Sequence, residues 1–365
     1  MKIQALSTSP PSSQNLLQRP CETQSLHDIG VAEHQDHTMT ENETTRDRPK
    51  SWIEPPPEPL KQPTYIHEPK HEHHTSMIIL HGRGDTGPSF GTLLVDESKS
   101  SEHASGDQDL TLEISLPAAL PNTRFIFPSA SRRPSTRFKG WKLNQWFDYW
   151  SLFDVSEKPE LQNEGLTENA GIIEGLIEEE ARKVGIENVI LGGLSNGAAM
   201  AMITVLLMIG HGRLHQERRL GGLFALCGWL PYAHEMKRRA EGAEAGKHDQ
   251  IATDDGREAQ SCNEVYSWLC TLLEGPHGTE MAELEQAASA RTFQGHSNGL
   301  LRSLFLAHGK DDNVVPIERF DDASSTMAAL GCEVISKTYD GLGHWYSDQM
   351  LADLVAWTQT QSGCQ

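Results

Sequence analysis

The 365-residue sequence predicts an α/β fold, a mostly parallel sheet with helices on both faces. Short runs that are apolar at every position, such as Met77-Ile78-Ile79-Leu80 and Leu304-Phe305-Leu306-Ala307, read as strands buried on both faces. Helical patterns alternate with them, as in 167–184 and 347–358. The pentapeptide Gly193-Leu194-Ser195-Asn196-Gly197 stands between an apolar run, Val189-Ile190-Leu191-Gly192, and the small-residue run 198–208. That is the context of a strand, a sharp turn and a helix with a serine at the bend.

Residues 1–70 are expected to form a disordered N-terminal extension. They are rich in Ser, Thr, Gln, Glu, His and Pro and hold too little apolar surface to offset the entropy of ordering. The folded domain is expected over 71–365. Its first strand is Thr75-Ser76-Met77-Ile78-Ile79-Leu80, leading into His81-Gly82-Arg83-Gly84-Asp85-Thr86-Gly87. Arg124-Phe125-Ile126-Phe127 is the next strand. A helix is expected from an N-cap at Thr167 to Val184, with Ile172, Ile173, Leu176 and Ile177 apolar and Gly185 placed to stop it. The 188–192 strand and the serine turn follow, then buried-strand runs at 223–227, 304–307 and 333–339, then a helix from Ser347 to Thr358. Residues 235–300 interrupt the pattern. Their Cys262, Val265, Trp268, Leu269, Leu272 and Leu273 fall at helical spacing. This reads as an insertion, either a surface helix or a substrate-covering cap.

Composition narrows the function classes. The net charge is −20, from 31 basic and 51 acidic residues, which argues against nucleic acid and against docking on anionic membranes. No stretch approaches the roughly 20 apolar residues needed to span a bilayer. The N-terminal residues have no apolar core of a secretory signal, and the six cysteines lack C-x-x-C spacing. A cytoplasmic protein with free thiols is expected. His67, His71, His73 and His74 do not fix a metal geometry, so no metal site is expected.

A serine hydroxyl needs an adjacent base, an acid to orient that base and donors for an oxyanion. Downstream of Ser195, Asp311 and Asp312 lie in the loop His308-Gly309-Lys310-Asp311-Asp312-Asn313-Val314-Val315-Pro316 after a strand. His344 lies just beyond the next strand, in Gly341-Leu342-Gly343-His344. The N–H groups of Asn196 and Arg83 are the expected oxyanion donors. The Arg83 side chain is free to bind a substrate carboxylate or a neighbouring loop. Trp141, Trp146, Phe147 and Trp150 form an aromatic stretch that reads either as an acyl-binding groove or as core.

Taken with Trp146-Phe147-Asp148 and Trp229-Leu230-Pro231, these motifs resemble, in order, the phospholipase/carboxylesterase family of α/β-hydrolases, which includes acyl-protein thioesterases. The resemblance covers 75–232 and 301–360. It implies Ser195 as nucleophile, His344 as base and Asp312 as acid, with Arg83 and Asn196 at the oxyanion positions. Trp146, Trp229 and Leu230 are the residues expected to contact substrate. The family usually has a hydrophobic residue in place of Arg83 and Gln in place of Asn196. The implied activity is hydrolysis of carboxylic esters or thioesters, with no cofactor and with an acylated protein among the candidate substrates. The same chemistry would serve an acyltransferase, and a non-catalytic binding protein on the same scaffold is a further reading.

Overall fold

The computed structural model describes residues 63–95, 115–245, 254–275 and 303–361. These belong to a compact unit that begins at Pro59. The elements in chain order are β1 (Tyr65–His67), β2 (Thr75–Leu80), α1 (Gly87–Val95), α2 (Leu116–Ala119), β3 (Thr123–Phe127), β4 (Arg132–Ser135) and β5 (Trp141–Asn144). Then come α3 (Asn163–Val184), β6 (Val189–Leu194), α4 (Asn196–Gly210), β7 (Gly222–Leu226), α5 (Ala233–Ala245) and α6 (Asp254–Glu274). The last are β8 (Leu304–Gly309), α7 (Ile317–Ala329), β9 (Val334–Tyr339) and α8 (Asp348–Thr360).

The main sheet has the order β1-β3-β2-β6-β7-β8-β9. Every neighbouring pair is parallel except β1 with β3. The α/β-hydrolase architecture expected from the sequence is the one observed. Strands β2, β6, β7 and β8 are buried along their whole length. The two-residue period of β2 divides its side chains between two cores. Ile78 and Leu80 join the core under α3 to α7, whereas Met77 and Ile79 join the core under α1, α2 and α8. Helix α4 is buried on every side through Ile209, because β6 and β7 lie beneath it and α3 and α6 lie against it. Its Ala198, Ala199 and Ala201 are the small side chains such a position needs.

Several expectations need correction. The expected extension falls outside the described residues up to 62, but it does not reach residue 70. Tyr65–His67 pairs antiparallel with β3, and the Tyr65 ring packs on Phe127 with centroids 5.9 Å apart. Three residues beside a polar run are too short to display a strand period. Strand β9 is not buried: Ile335, Ser336, Lys337 and Thr338 are all exposed. It is the edge of the sheet, and Lys337 there is the kind of charge that discourages further pairing.

Helix α3 starts at Asn163, earlier than expected, and Thr167 is not its cap. The Thr167 hydroxyl is directed to the carbonyls of Asn163 (2.9 Å) and Leu273 (2.7 Å). Ile172 is 53% exposed, so the apolar face runs instead through Leu166, Ala170, Ile173 and Ile177. Gly185 ends the helix at φ 86°, a conformation that glycine adopts without steric cost. The hairpin β4–β5 escaped the sequence reading, since Arg132, Arg133 and Pro134 carry no strand signal.

The described part of the 235–300 insertion packs into the body. In α6, Cys262, Val265, Tyr266, Leu269, Cys270 and Leu273 are buried, and the helix contacts α3, α4 and α5. Gly210 of α4 makes room for it, since a methyl group there would lie 2.5 Å from the Cys270 sulfur. Residues 246–253 and 276–302 of the insertion lie outside the described residues.

Candidate active site

Parallel strands bring their following loops to one edge of the sheet. The loops after β2, β6, β8 and β9 carry Arg83, Ser195, Asp312 and His344 respectively. Ser195 sits at φ 56°, ψ −118°, a strained conformation for a residue with a side chain. It is held from both sides: its N–H donates to Leu226 O (2.9 Å) and its carbonyl accepts from Ala199 N–H (3.1 Å). The flanking glycines are required by close approach. A methyl group on Gly193 would lie 2.6 Å from Leu80 O, and one on Gly197 would lie 2.6 Å from His81 O.

The structure brings Ser195, His344 and Asp312 into one hydrogen-bonded chain. His344 Nε2 is 2.9 Å from Ser195 Oγ, and Nδ1 is 2.7 Å from Asp312 Oδ2. With Nδ1–H donating to the carboxylate, Nε2 is left to accept the serine proton. Asp312 Oδ1 accepts N–H bonds from Val314 and Val315, each 2.9 Å. Burial by itself would raise the Asp312 pKa. The hydrogen bond and charge of His344, with those two N–H groups, outweigh it and hold the carboxyl below its ordinary range. Asp311, the alternative acid, is exposed.

Two buried histidines support this arrangement. Burial depresses the His308 pKa, and the hydrogen bond to the Val315 carbonyl and the charge of Asp312 oppose it only in part. His308 Nε2 donates to Val315 O at 3.0 Å and lies 3.4 Å from Asp312 Oδ2. His81 is depressed in the same way; it donates from Nδ1 to Gly82 O (2.7 Å) and accepts Ala130 N–H at Nε2 (2.9 Å). It fixes the loop that carries Arg83. Sequence reasoning placed both histidines in motifs without finding these roles, because only the folded chain shows their burial.

The backbone N–H groups of Arg83 and Asn196 have no acceptor among the described residues. The Arg83 loop lies against the serine, since a methyl group on Gly82 would be 3.6 Å from Ser195 Cβ. The Asn196 side chain is committed elsewhere: Oδ1 accepts Trp146 N–H (2.8 Å) and Nδ2 donates to Phe147 O (3.4 Å). The Arg83 side chain packs on aromatic rings of neighbouring loops. Its guanidinium carbon is 4.1 Å from the Tyr149 ring centroid and 5.0 Å from that of Phe138.

The three expected substrate residues separate. Trp146 is 1% exposed and donates from Nε1 to His81 O (2.9 Å), so it is a strut beneath the Arg83 loop and not a lining residue. The aromatic stretch is thus core at Trp146 and Phe147, whereas Trp141 stands out in solvent. Trp229 and Leu230 line a cavity of about 730 Å³, walled also by Trp150, Tyr232, and Trp268 and Leu272 of α6. Ser195 and His344 are not among its walls. The Trp229 ring packs on Tyr149 (4.8 Å) and Phe147 (5.7 Å), between that cavity and the Arg83 loop. Of the early histidines, His73 faces Ser76, whereas His74 faces Asn122 and Glu72.

A family model described as phospholipase/carboxylesterase matches residues 62–248. Lysophospholipase-like protein 1 of Mus musculus is 30% identical over 307 residues, covering 84% of this chain and 94% of that protein. Acyl-protein thioesterase 1 of Yarrowia lipolytica is 28% identical over 163 residues, covering 44% of this chain and 60% of that protein. The chain thus spans less than two thirds of the length of that relative. The crystal structure of Zea mays acyl-protein thioesterase 2 covers 81% of this chain and 97% of its own, with a TM-score of 0.51 and 23% identity, a likeness of fold.

Proposed function

This chain belongs to the phospholipase/carboxylesterase family, and we propose that it is a serine hydrolase of carboxylic esters or thioesters. The observation that carries the reading is the hydrogen-bonded chain Ser195–His344–Asp312 at a strained strand-to-helix turn. In the proposed mechanism, His344 Nε2 takes the Ser195 proton as Oγ attacks the acyl carbon. The Arg83 and Asn196 N–H groups receive the oxyanion, each worth about 3–4 kcal/mol by analogy with other serine hydrolases. Asp312 holds the imidazole tautomer and stabilises the imidazolium. His344 then gives its proton to the departing alkoxide or thiolate. Water, deprotonated by the same nitrogen, attacks the acyl-enzyme and releases the acid. The chain and water balance every proton transfer, so the mechanism calls for no cofactor.

Acylated proteins are candidate substrates, in keeping with relatives named acyl-protein thioesterases. A cytoplasmic location fits the free, buried Cys227 and Cys332 among the described residues, which suit a reducing compartment. A fluorophosphonate probe tests the nucleophile: the native protein is labelled and Ser195→Ala is not. Equal labelling of the two would overturn the mechanism. Acyl thioesters assayed beside oxygen esters of graded length then separate the substrate classes.

A further inference from the structure

Arg83 is a half-buried cation without a counter-ion. Its Nη1 is sealed from solvent and has no hydrogen-bond partner, and no carboxylate lies within ion-pair distance of the guanidinium among the described residues. Asp148 attracts it from beyond ion-pair distance, and that pull does not offset the cost of burial. Phe138 and Tyr149 stack on it, and the neighbouring charge of Arg137 repels it. Among the described residues, Arg137 itself reaches only the Trp150 carbonyl, at 3.5 Å. The Tyr149 hydroxyl stays protonated, since burial raises its pKa above the ordinary tyrosine value.

Among the described residues the carboxylate near this pair is Asp148, and it is engaged at the base of the β4–β5 hairpin. It accepts from Thr136 N–H (2.9 Å), Ser135 Oγ (3.4 Å) and Gln145 Nε2 (3.5 Å). Cation–π attraction offsets only part of the cost of desolvating a guanidinium. A cation held this way is poised for an anion that arrives with a ligand. The same residue offers its backbone N–H at the proposed oxyanion position, so the ligand in question is the substrate.

We propose that Arg83, seconded by Arg137, forms an anion subsite that recognises a carboxylate carried by the ester substrate. This rests on the hydrolase reading above. The carboxylate has two possible sources, the far end of the acyl group or the leaving group. Two matched pairs of esters distinguish them. One compares the 4-nitrophenyl monoester of glutaric acid with 4-nitrophenyl valerate. The other compares 4-carboxyphenyl butyrate with phenyl butyrate.

The native protein is expected to favour the carboxylate-bearing member of one pair by roughly ten- to a hundredfold in kcat/KM, the range of a charge-assisted hydrogen bond. The preference falls as salt rises. Arg83→Leu, which keeps the backbone N–H, loses the preference, and Arg137→Gln weakens it. The pair that responds identifies the source. Hydrolysis of all four esters with no preference in either pair overturns the subsite and leaves the hydrolase reading intact. Hydrolysis of none, with no fluorophosphonate labelling of Ser195, overturns both. A preference that survives in Arg83→Leu and Arg83→Gln alike also overturns the subsite.

Discussion

His308 Nε2 lies 3.4 Å from Asp312 Oδ2, the same oxygen that His344 Nδ1 meets at 2.7 Å. Asp312 is thus flanked by two imidazoles, one wholly buried and one facing the serine. His308 is a positioning residue in the proposed mechanism. Replacing it with Ala removes the support of the Val315 carbonyl and one dipole on the carboxylate. The expected result is a fall in kcat of about three- to tenfold with little change in KM. His308→Gln, which keeps an N–H donor, recovers most of the loss. Failure of His308→Gln to recover kcat, or a change confined to KM, would reduce His308 to a packing residue.

Protonation also bears on stability. His81 and His308 have folded pKa values lowered by burial, so the unfolded chain binds protons more readily. Their contribution is complete above the unfolded histidine value of about 6.5 and is lost as pH falls through the folded values. Asp312, also depressed in the fold, adds a loss at lower pH, below the ordinary carboxylate range. The thermal midpoint should therefore decline from about pH 6.5 downward, before most carboxylates titrate. His308→Gln should flatten the first part of that decline. Scanning calorimetry at a series of pH values checks both statements.

Asn196 joins the serine turn to the 146–147 segment through its side chain. Asn196→Ala keeps the proposed oxyanion N–H but strands the Trp146 N–H and Phe147 carbonyl in the core. It should cost about 1–3 kcal/mol of stability, measured by urea unfolding. Activity per folded molecule should fall less than in an Asp312→Asn variant, whose loss should approach about 10⁴-fold in kcat.

Gly197→Ala would drive a methyl group into the Leu80 and His81 carbonyls. Backbone cannot yield there without moving β2, so the variant should lose more than about 3 kcal/mol or fail to accumulate. Gly171→Ala, where nothing lies within 4 Å of the added methyl, is the matched control and should be neutral or slightly stabilising.

Leu269 of α6 is wholly buried between this helix and the body. Leu269→Ala should therefore destabilise the whole domain by about 2–5 kcal/mol. Deleting 235–300 should unfold the protein and not merely change chain-length preference. Leu272→Trp, at the wall of the 730 Å³ cavity, is the milder probe. If acyl chains enter that cavity, activity on long esters falls relative to short ones.

The serine turn, the order of its partners and the central strands could be read in advance because each signal is local. β2 and β8 hold the runs Met77–Leu80 and Leu304–Ala307, apolar at every position, Ser347 caps α8 by accepting Met350 N–H (3.2 Å), and Gly185 stops α3. What stayed hidden depends on neighbours distant in sequence. Nothing in the 333–339 run says that no strand pairs beyond it among the described residues. Nothing in 63–70 says that a three-residue segment finds β3. Trp146 becomes a strut only because His81 O and Asn196 Oδ1 meet it, and Arg83 becomes an unpaired cation only because Tyr149 and Phe138 close around it. The sequence by itself therefore determined the kind of sheet and which residue types could carry the chemistry, since period and backbone conformation are written over a few residues. Tertiary structure alone decided burial, partners and charge balance, since each depends on which surfaces the folded chain brings into contact.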